Sequence, residues 1–213
     1  MARYKNGING AFRGKVGTVV GASWRGIDYV RGVADTSKVI WSEAQINQRV
    51  LFALVVNWLK PLWSVINLGY QVFKKRKTPL NAAIGYHMKE AVKGEAPDFE
   101  IEFSKAIFSV GELLLSLIKE LVALGDAMLR ISWDNIAESV YNSGSDRAIF
   151  ILYNPDKQLF VSFVYCALRA HRQVLLQLPE GFAGDAVHCY MFFTNEKGDK
   201  VSTSQYLGEV VVV

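Results

Sequence analysis

The sequence predicts an α+β protein with an N-terminal glycine-rich β-hairpin, a helical middle and a C-terminal immunoglobulin-like β-sandwich. Near the N-terminus, glycines bound short runs of β-branched and aromatic residues, which is typical of a hairpin. A long apolar run with helical spacing follows, and the remainder holds short strand-like runs separated by turn residues. We therefore expect two domains, with the hairpin and helices in residues 1–95 and the sandwich in residues 96–213.

The hairpin is expected within residues 12–31, where glycine recurs at short intervals. Valines follow Gly14, and an Ile-Asp-Tyr-Val run follows Gly26, so that glycine turns are expected between short strands. The block and its flanks contain the glycines at positions 7, 10, 14, 17, 21, 26 and 32. Such a density of glycine sets the geometry of the backbone rather than filling a core.

The first helix is expected to begin at Glu43, because Ser42 is a suitable N-cap and Gln45 completes a capping box. Apolar residues recur at helical spacing as far as Lys60, and they surround the helix almost completely. Pro61 is expected to kink or end the helix.

Two further helical segments are expected. The first covers Leu62–Phe73 and leads into a basic cluster at residues 74–77. The second begins at Thr78-Pro79, an N-cap followed by proline at the first helical position, runs to Val92 and stops at Gly94.

The run Val50–Phe73 has the length of a membrane span and is followed by basic residues, as a membrane stop would be. Asn57, Lys60, Pro61 and Asn67 lie in its middle, where a lipid-facing helix tolerates polar groups least. We therefore expect a buried helical pair or an oligomer interface, and not a membrane helix. The residues assigned to this helical interface are Leu51, Val55, Trp58 and Leu59.

The chain is β-like from Pro97 onward, and about seven short strands separated by turns are typical of an immunoglobulin-like sandwich. The predicted strands are Phe99–Phe103, Ala127–Trp133, Arg147–Tyr153, Leu159–Leu168, Gln173–Leu178, Ala186–Phe193 and Tyr206–Val213. The segment Glu112–Leu124 stays open, because its composition favours a helix whereas the glycines beside it fit a hairpin.

Charge is divided unevenly along the chain, although the net charge is only +4. Residues 1–89 hold 14 Lys and Arg against three acidic residues, a net charge of +11, and residues 90–213 hold 10 against 17, a net charge of −7. The basic part would attract nucleic acid, an anionic surface or an acidic partner. The two opposite parts would also attract each other between copies, which favours head-to-tail self-association.

The sequence predicts no cofactor, metal or enzymatic activity. The run at residues 10–16 has glycine and lysine near the spacing of a phosphate loop, but it is one residue short and Val16 replaces the Ser or Thr that would hold magnesium. His87, His171 and His188 lie on different predicted elements, without metal-ligand spacing. His188 and Cys189 are neighbours on one strand and should point to opposite faces, which argues against a catalytic pair.

The cysteines give no disulfide framework. Cys166 and Cys189 lie on separate predicted strands, and either free thiols or one bridge between neighbouring strands fits the sequence.

The N-terminal block carries a second expected interaction surface, in which basic and aromatic residues are interleaved. Its members are Phe12, Arg13, Lys15, Trp24, Arg25, Tyr29 and Arg31. Such a surface fits contact with another protein or copy, and it could also follow a phosphate backbone and stack bases. We expect a non-enzymatic structural or interaction protein, with nucleic-acid binding as the main alternative and membrane or carbohydrate binding as a second alternative. No secretory signal is visible, so cytoplasmic synthesis or a place inside an assembled particle is expected.

The N-terminal block also carries a family signature, N-G-x-x-G-x-F-x-G-K-V-G-x-V-V-G-x-S-W-R-G-x-x-Y-x-R. In this chain it comprises Asn6, Gly7, Gly10, Phe12, Gly14 to Gly17, Val19 to Gly21, Ser23 to Gly26, Tyr29 and Arg31. The pattern resembles an uncharacterised family of proteins of about 200 residues common in Bacteroidota. The resemblance implies a domain of unknown function and assigns no functional residues. The start also resembles, more loosely, small phage-associated proteins.

Overall fold

The computed structural model describes residues 2–3, 10–35, 40–74 and 77–213. The chain divides into two compact units, Met1–Gln45 and Ile46–Val213, and the predicted boundary at residue 95 lies inside the second unit. Some residues singled out in the sequence lie outside the described residues. They are Asn6 and Gly7 of the signature and Lys75 and Arg76 of the basic cluster.

The first unit contains an antiparallel sheet of four strands, which confirms the predicted hairpin and extends it. The strands are β1 (Ala2–Arg3), β2 (Gly14–Val16), β3 (Val19–Trp24) and β4 (Ile27–Gly32), in the order β1-β4-β3-β2. The turn between β3 and β4 consists of Arg25 and Gly26, and both have positive φ, 52° and 79°. Two positive φ values define a type I′ turn, whose twist matches that of the flanking strands.

The helices are α1 (Glu43–Leu59), α2 (Trp63–Gly69) and α3 (Pro79–Glu90), and α1 and α3 begin where the capping signals predict. Helix α2 is shorter than the predicted segment Leu62–Phe73, because the chain forms a 3₁₀ turn at Gln71–Phe73. The Ser42 amide donates to Gln45 Oε1 at 3.0 Å, and the Gln45 amide donates to Ser42 Oγ at 3.4 Å, which is a capping box. Pro61 lies in a short 3₁₀ turn between α1 and α2.

The start of α3 also follows its signal, because Thr78 Oγ1 accepts a hydrogen bond from the Asn81 amide at 3.2 Å. The helix ends at Glu90, two residues before the predicted end. Val92–Lys93 instead form a short strand, β5, that pairs with β6 (Glu100–Ile101).

The rest of the chain is rich in strands, as the sequence predicts. The strands are β7 (Leu117–Leu124), β8 (Met128–Asp134), β9 (Arg147–Asn154), β10 (Leu159–Leu168), β11 (Gln173–Gln177), β12 (Ala186–Thr194) and β13 (Gln205–Val211). The open segment therefore ends in a strand, β7, which forms a hairpin with β8. The predicted strand Phe99–Phe103 is shorter, because only the two residues of β6 pair and a 3₁₀ turn begins at Phe103.

These strands form two sheets, one ordered β10-β9-β12-β13 and the other β11-β8-β7. Almost every residue of β9 and β12 is buried, so that the centre of the four-stranded sheet is covered on both faces. On one face, Phe150 and Phe193 share a core with Trp133 of the three-stranded sheet. On the other face, Ile149 and Ile151 share a core with the helices. The second unit thus has three layers: helices, a four-stranded sheet and a three-stranded sheet.

A buried arginine joins the ends of several elements in this unit. Arg169 is 1% exposed, and its Nε donates to Asp146 Oδ2 at 3.0 Å. Its two remaining nitrogens donate to Ser116 Oγ at 2.9 Å and to the Leu114 carbonyl at 2.7 Å. Its guanidinium carbon also lies 3.8 Å from the ring centroid of Phe193. Every nitrogen of the guanidinium group is therefore paired, as a buried charge requires.

Candidate functional site

The strand register divides the predicted N-terminal interaction surface between two faces of its sheet. Val20 pairs with Lys15 on one side and with Arg31 on the other. Tyr29 and Trp24 lie on this same face, because side chains alternate along each strand. Lys15, Trp24, Tyr29 and Arg31 therefore share one basic and aromatic face, which we call the β-face.

The other predicted members of that surface lie elsewhere. Arg25 is in the turn, with its guanidinium carbon 5.7 Å from the centroid of the Trp24 ring. Arg13 precedes β2 and is exposed. Phe12 lies over Gly21, where a Cβ atom would meet the Phe12 carbonyl oxygen at 2.2 Å and its ring carbons at 2.7 Å. Gly21 points away from the β-face, so Phe12 covers the opposite side of the sheet.

The four residues of the predicted helical interface lie in or beside the core of their own chain. Val55, Trp58 and Leu59 belong to the core between the helices and the four-stranded sheet, and Leu51 packs against it. Their apolar character therefore serves the internal packing of the second unit. The sequence alone could not separate these residues from an oligomer interface, because both settings require an apolar helix face.

A different side of α1 is apolar and exposed. Ile46 and Val50 are 49% and 39% exposed, and Ala53 is also exposed. These three positions follow the spacing of one helix face, and Val55, nine residues after Ile46, is rotated about 180° from it. Helix α1 therefore buries one apolar face within the chain and presents another, which we call the α1 face, to solvent.

The helical stretch Glu43–Gly69 has the length and the apolar composition of a membrane span, and these two properties alone identify it as a candidate. About a third of its apolar window is buried inside the protein. Among residues 10–35, 40–74 and 77–213, whose side chains are described, no other helix is both long enough and apolar enough to cross a membrane.

The second unit contains a cleft of about 780 Å³, a volume typical of small-molecule sites. It opens between α1, the β5–β6 pair and the adjoining ends of β9, β10, β12 and β13. Six of the residues that line it are aromatic, and several of their ring centroids are 4.5–6.3 Å apart. They are Trp58, Phe99, Phe103, Tyr153, Phe160 and Tyr206.

Three of the residues that line the cleft are buried and carry polar groups. Trp58, Tyr153 and His188 are each no more than 9% exposed. The Nε1–H group of Trp58 is shielded from solvent, and in the described part of the chain no atom completes a hydrogen bond with it. The neighbouring Tyr153 ring is edge-on to Trp58, with centroids 5.6 Å apart. Burial raises the pKa of Tyr153, and the Trp58 N–H opposes that rise without reaching ordinary hydrogen-bond geometry.

His188 is held in place by two neighbours. Its Nδ1 is 2.8 Å from the Tyr206 hydroxyl, and its ring centroid is 4.4 Å from that of Phe103. Burial lowers the pKa of His188, so the neutral imidazole is favoured. Cys189 packs in the core on the other side of the sheet, which confirms that the two neighbours point to opposite faces. The thiol of Cys189 is therefore separated from the imidazole by the sheet itself.

The charged side chains that line the cleft are already paired. Lys93 Nζ lies 3.2 Å from Glu100 Oε2 across the β5–β6 pair. Glu102 pairs with Lys105 at 2.9 Å. Among the described residues no cluster of three or more His, Cys, Asp or Glu side chains could hold a metal ion.

The cleft was not identified from the sequence, because its residues come from seven elements that are distant along the chain. Cys166 and Cys189 are both free, the first exposed and the second buried, so the bridge that the sequence left open does not form.

Comparison with known proteins places the chain in a family. A family model described as "Family of unknown function (DUF6266)" matches residues 11–208, and the chain therefore belongs to that family. The match is consistent with the expected uncharacterised domain of about 200 residues. No curated protein matches the chain.

Proposed function

We propose that this protein is a non-enzymatic structural or interaction protein that associates with further copies of itself, as a subunit of a surface or phage-like assembly. The observation that carries the proposal is the α1 face, on which Ile46, Val50 and Ala53 are exposed opposite the side of the helix that forms the core. Contiguous exposed apolar residues favour protein contacts. A second copy is the favoured partner, because the net charges of +11 and −7 on the two parts of the chain are complementary.

Self-association is tested by size-exclusion chromatography with light scattering at several protein concentrations, each at low and high salt. We expect oligomers that weaken as salt screens the charged contacts. Ile46→Glu should shift the equilibrium toward monomer. Gln48→Glu adds the same charge to an exposed position of the same helix outside the α1 face, and should have little effect. A strict monomer under all conditions would refute the proposal.

Nucleic-acid binding is the second candidate function, and the β-face supports it. Two cations and two aromatic rings on one face can contact phosphates and stack on bases. In a gel-shift assay with single-stranded DNA at low salt, Lys15→Glu and Arg31→Glu should each abolish binding. Ser23→Glu, which adds a charge on the opposite face of the sheet, serves as the control. Wild-type binding should also fall steeply with salt because counterions are released. The absence of a shift at low salt would exclude this function.

We also infer that the two C-terminal sheets form an immunoglobulin-like sandwich. The support is a set of seven antiparallel strands, β7 to β13. The first, second and fifth of them (β7, β8 and β11) form one sheet, and the fourth, third, sixth and seventh (β10, β9, β12 and β13) form the other. In the constant-type immunoglobulin arrangement the fourth strand belongs to the other sheet. Cross-strand NMR contacts of β8 with β11 and of β9 with β12 would test the division into two sheets, and contacts of β8 with β9 in their place, as in one continuous sheet, would contradict the sandwich.

A further inference from the structure

We infer that the aromatic cleft of the second unit is a binding site for a neutral, ring-sized small molecule that carries a hydrogen-bond acceptor such as a carbonyl group. This site is separate from the α1 face and the β-face, and the inference does not depend on self-association. Three features of the cleft define the ligand: the apolar wall, the unpaired donor and the paired charges.

The wall determines the shape of the ligand. Trp58, Phe103, Tyr153 and Phe160 present ring edges and faces within one cleft of about 780 Å³. Aromatic rings pack best against other rings in offset or edge-to-face contacts. A flat ring compound gains most from this geometry, whereas a flexible polar chain gains little.

The unpaired donor determines the main polar contact. Burying an N–H group without a well-placed acceptor is costly, and among the described residues no atom, the Tyr153 hydroxyl included, completes a hydrogen bond with Trp58 Nε1. A ligand that brings an oxygen acceptor to Nε1 removes that cost. Nε1 is shielded from solvent, so a neighbouring ring must move to admit the acceptor. Phe160 is suited to this movement because it is only partly buried and its centroid is 5.3 Å from that of Trp58.

The paired charges determine that the ligand is neutral. Lys93, Glu100 and Glu102 are the charged side chains that line the cleft, and each forms an ion pair with a neighbour. A charged ligand that enters among the aromatic rings would lose its hydration without finding a free counter-charge in the wall, and burying an unpaired charge is costly.

The test uses the full-length chain and four probes of similar size: benzamide, toluene, benzoate and benzamidine. The chain has five tryptophans, so a ¹⁵N-labelled sample gives five indole N–H signals, and Trp58→Phe identifies the signal of Trp58. Benzamide should shift that signal downfield as the hydrogen bond forms. One neutral hydrogen bond should make benzamide bind about five-fold tighter than toluene. The anionic and cationic probes should bind more weakly than benzamide.

Variants separate the site from general binding. Trp58→Phe removes the donor and part of the wall together, so it should weaken benzamide binding about five-fold more than it weakens toluene binding. Trp63→Phe, at an exposed position outside the cleft, should leave both unchanged. If Trp58→Phe does not fold, the Trp58 signal is assigned from its contacts with the Tyr153 ring in the wild-type spectrum, and the shift of that signal with benzamide then decides. A Trp58 signal that does not move with benzamide, equal binding of toluene and benzamide, or preferred binding of a charged probe would overturn the inference.

Discussion

Lowering the pH should destabilise the folded chain, and the buried histidine His87 should contribute a measurable share of this effect. The His87 ring is fully buried; its Nδ1–H donates to the Ala83 carbonyl at 2.8 Å, and its Nε2 accepts from the Ile107 amide at 3.3 Å. Both ring nitrogens are therefore used by the neutral imidazole. A proton added to Nε2 would face the Ile107 N–H group, and neither hydrogen-bond partner of the ring is an anion that could balance the imidazolium charge.

The size and sign of the effect follow from linkage. Burial lowers the pKa of His87 from 6.5 to about 4. As the pH falls through 6.5 the unfolded chain binds a proton that the folded chain does not bind until about pH 4. Each pKa unit corresponds to about 1.4 kcal/mol, so the free energy of unfolding should fall by about 3 kcal/mol across this window. Below the window, His87 causes no further loss.

Urea unfolding of wild type and His87→Gln at a series of pH values measures this effect. The difference in free energy of unfolding between the two proteins should narrow by about 3 kcal/mol from neutral pH to the lower end of the window. Burial also lowers the pKa of His188, but this histidine is present in both proteins and its effect cancels in the difference. A difference that stays constant with pH would refute the assignment.

Two further predictions concern packing. Asp146→Ala leaves the buried guanidinium of Arg169 without its counter-ion, and should lower the free energy of unfolding by about 3–5 kcal/mol in urea melts; a loss below about 1 kcal/mol would show that water or another group replaces the carboxylate. Gly21→Ala should disrupt the first unit, because the new Cβ atom would meet the Phe12 carbonyl oxygen at 2.2 Å. Gly32→Ala, on β4 of the same sheet and with nothing within 4 Å of its Cβ position, is the matched control. Amide NMR shifts of β3 and β4 distinguish the two, and similar spectra for both variants would contradict the prediction.

Local signals in the sequence predicted most element boundaries. The capping pair Ser42–Gln45 and the turn at Arg25-Gly26 depend on neighbouring residues alone, so they can be read without knowledge of the fold. Leu117–Leu124 could not be assigned in this way. Its composition favours a helix whereas the glycines beside it fit a hairpin, and the pairing of this segment with β8 selects the strand.

The layers and the cleft depend on contacts between distant residues. The near-continuous apolar runs of β9 and β12 indicate burial on both faces, but not which layer covers each face. Trp58, Tyr153 and His188 meet in the cleft from three different elements. Each was interpretable singly as a core residue. They lie side by side because the three layers pack together, and no local sequence pattern predicts that packing.

The double coverage of the four-stranded sheet limits where the chain can be cut. A fragment that begins at residue 96 would lack α1, α2 and α3, and would expose the side of the sheet that bears Ile149, Ile151 and Tyr190. Such a fragment should aggregate on expression, even though it keeps all seven strands of the two C-terminal sheets. A fragment that begins at residue 42 keeps α1 with its capping box, and α2 and α3, together with the sheets, and its start lies close to the division between the two compact units. Limited proteolysis should therefore release a resistant core that starts just before α1 and not near residue 96.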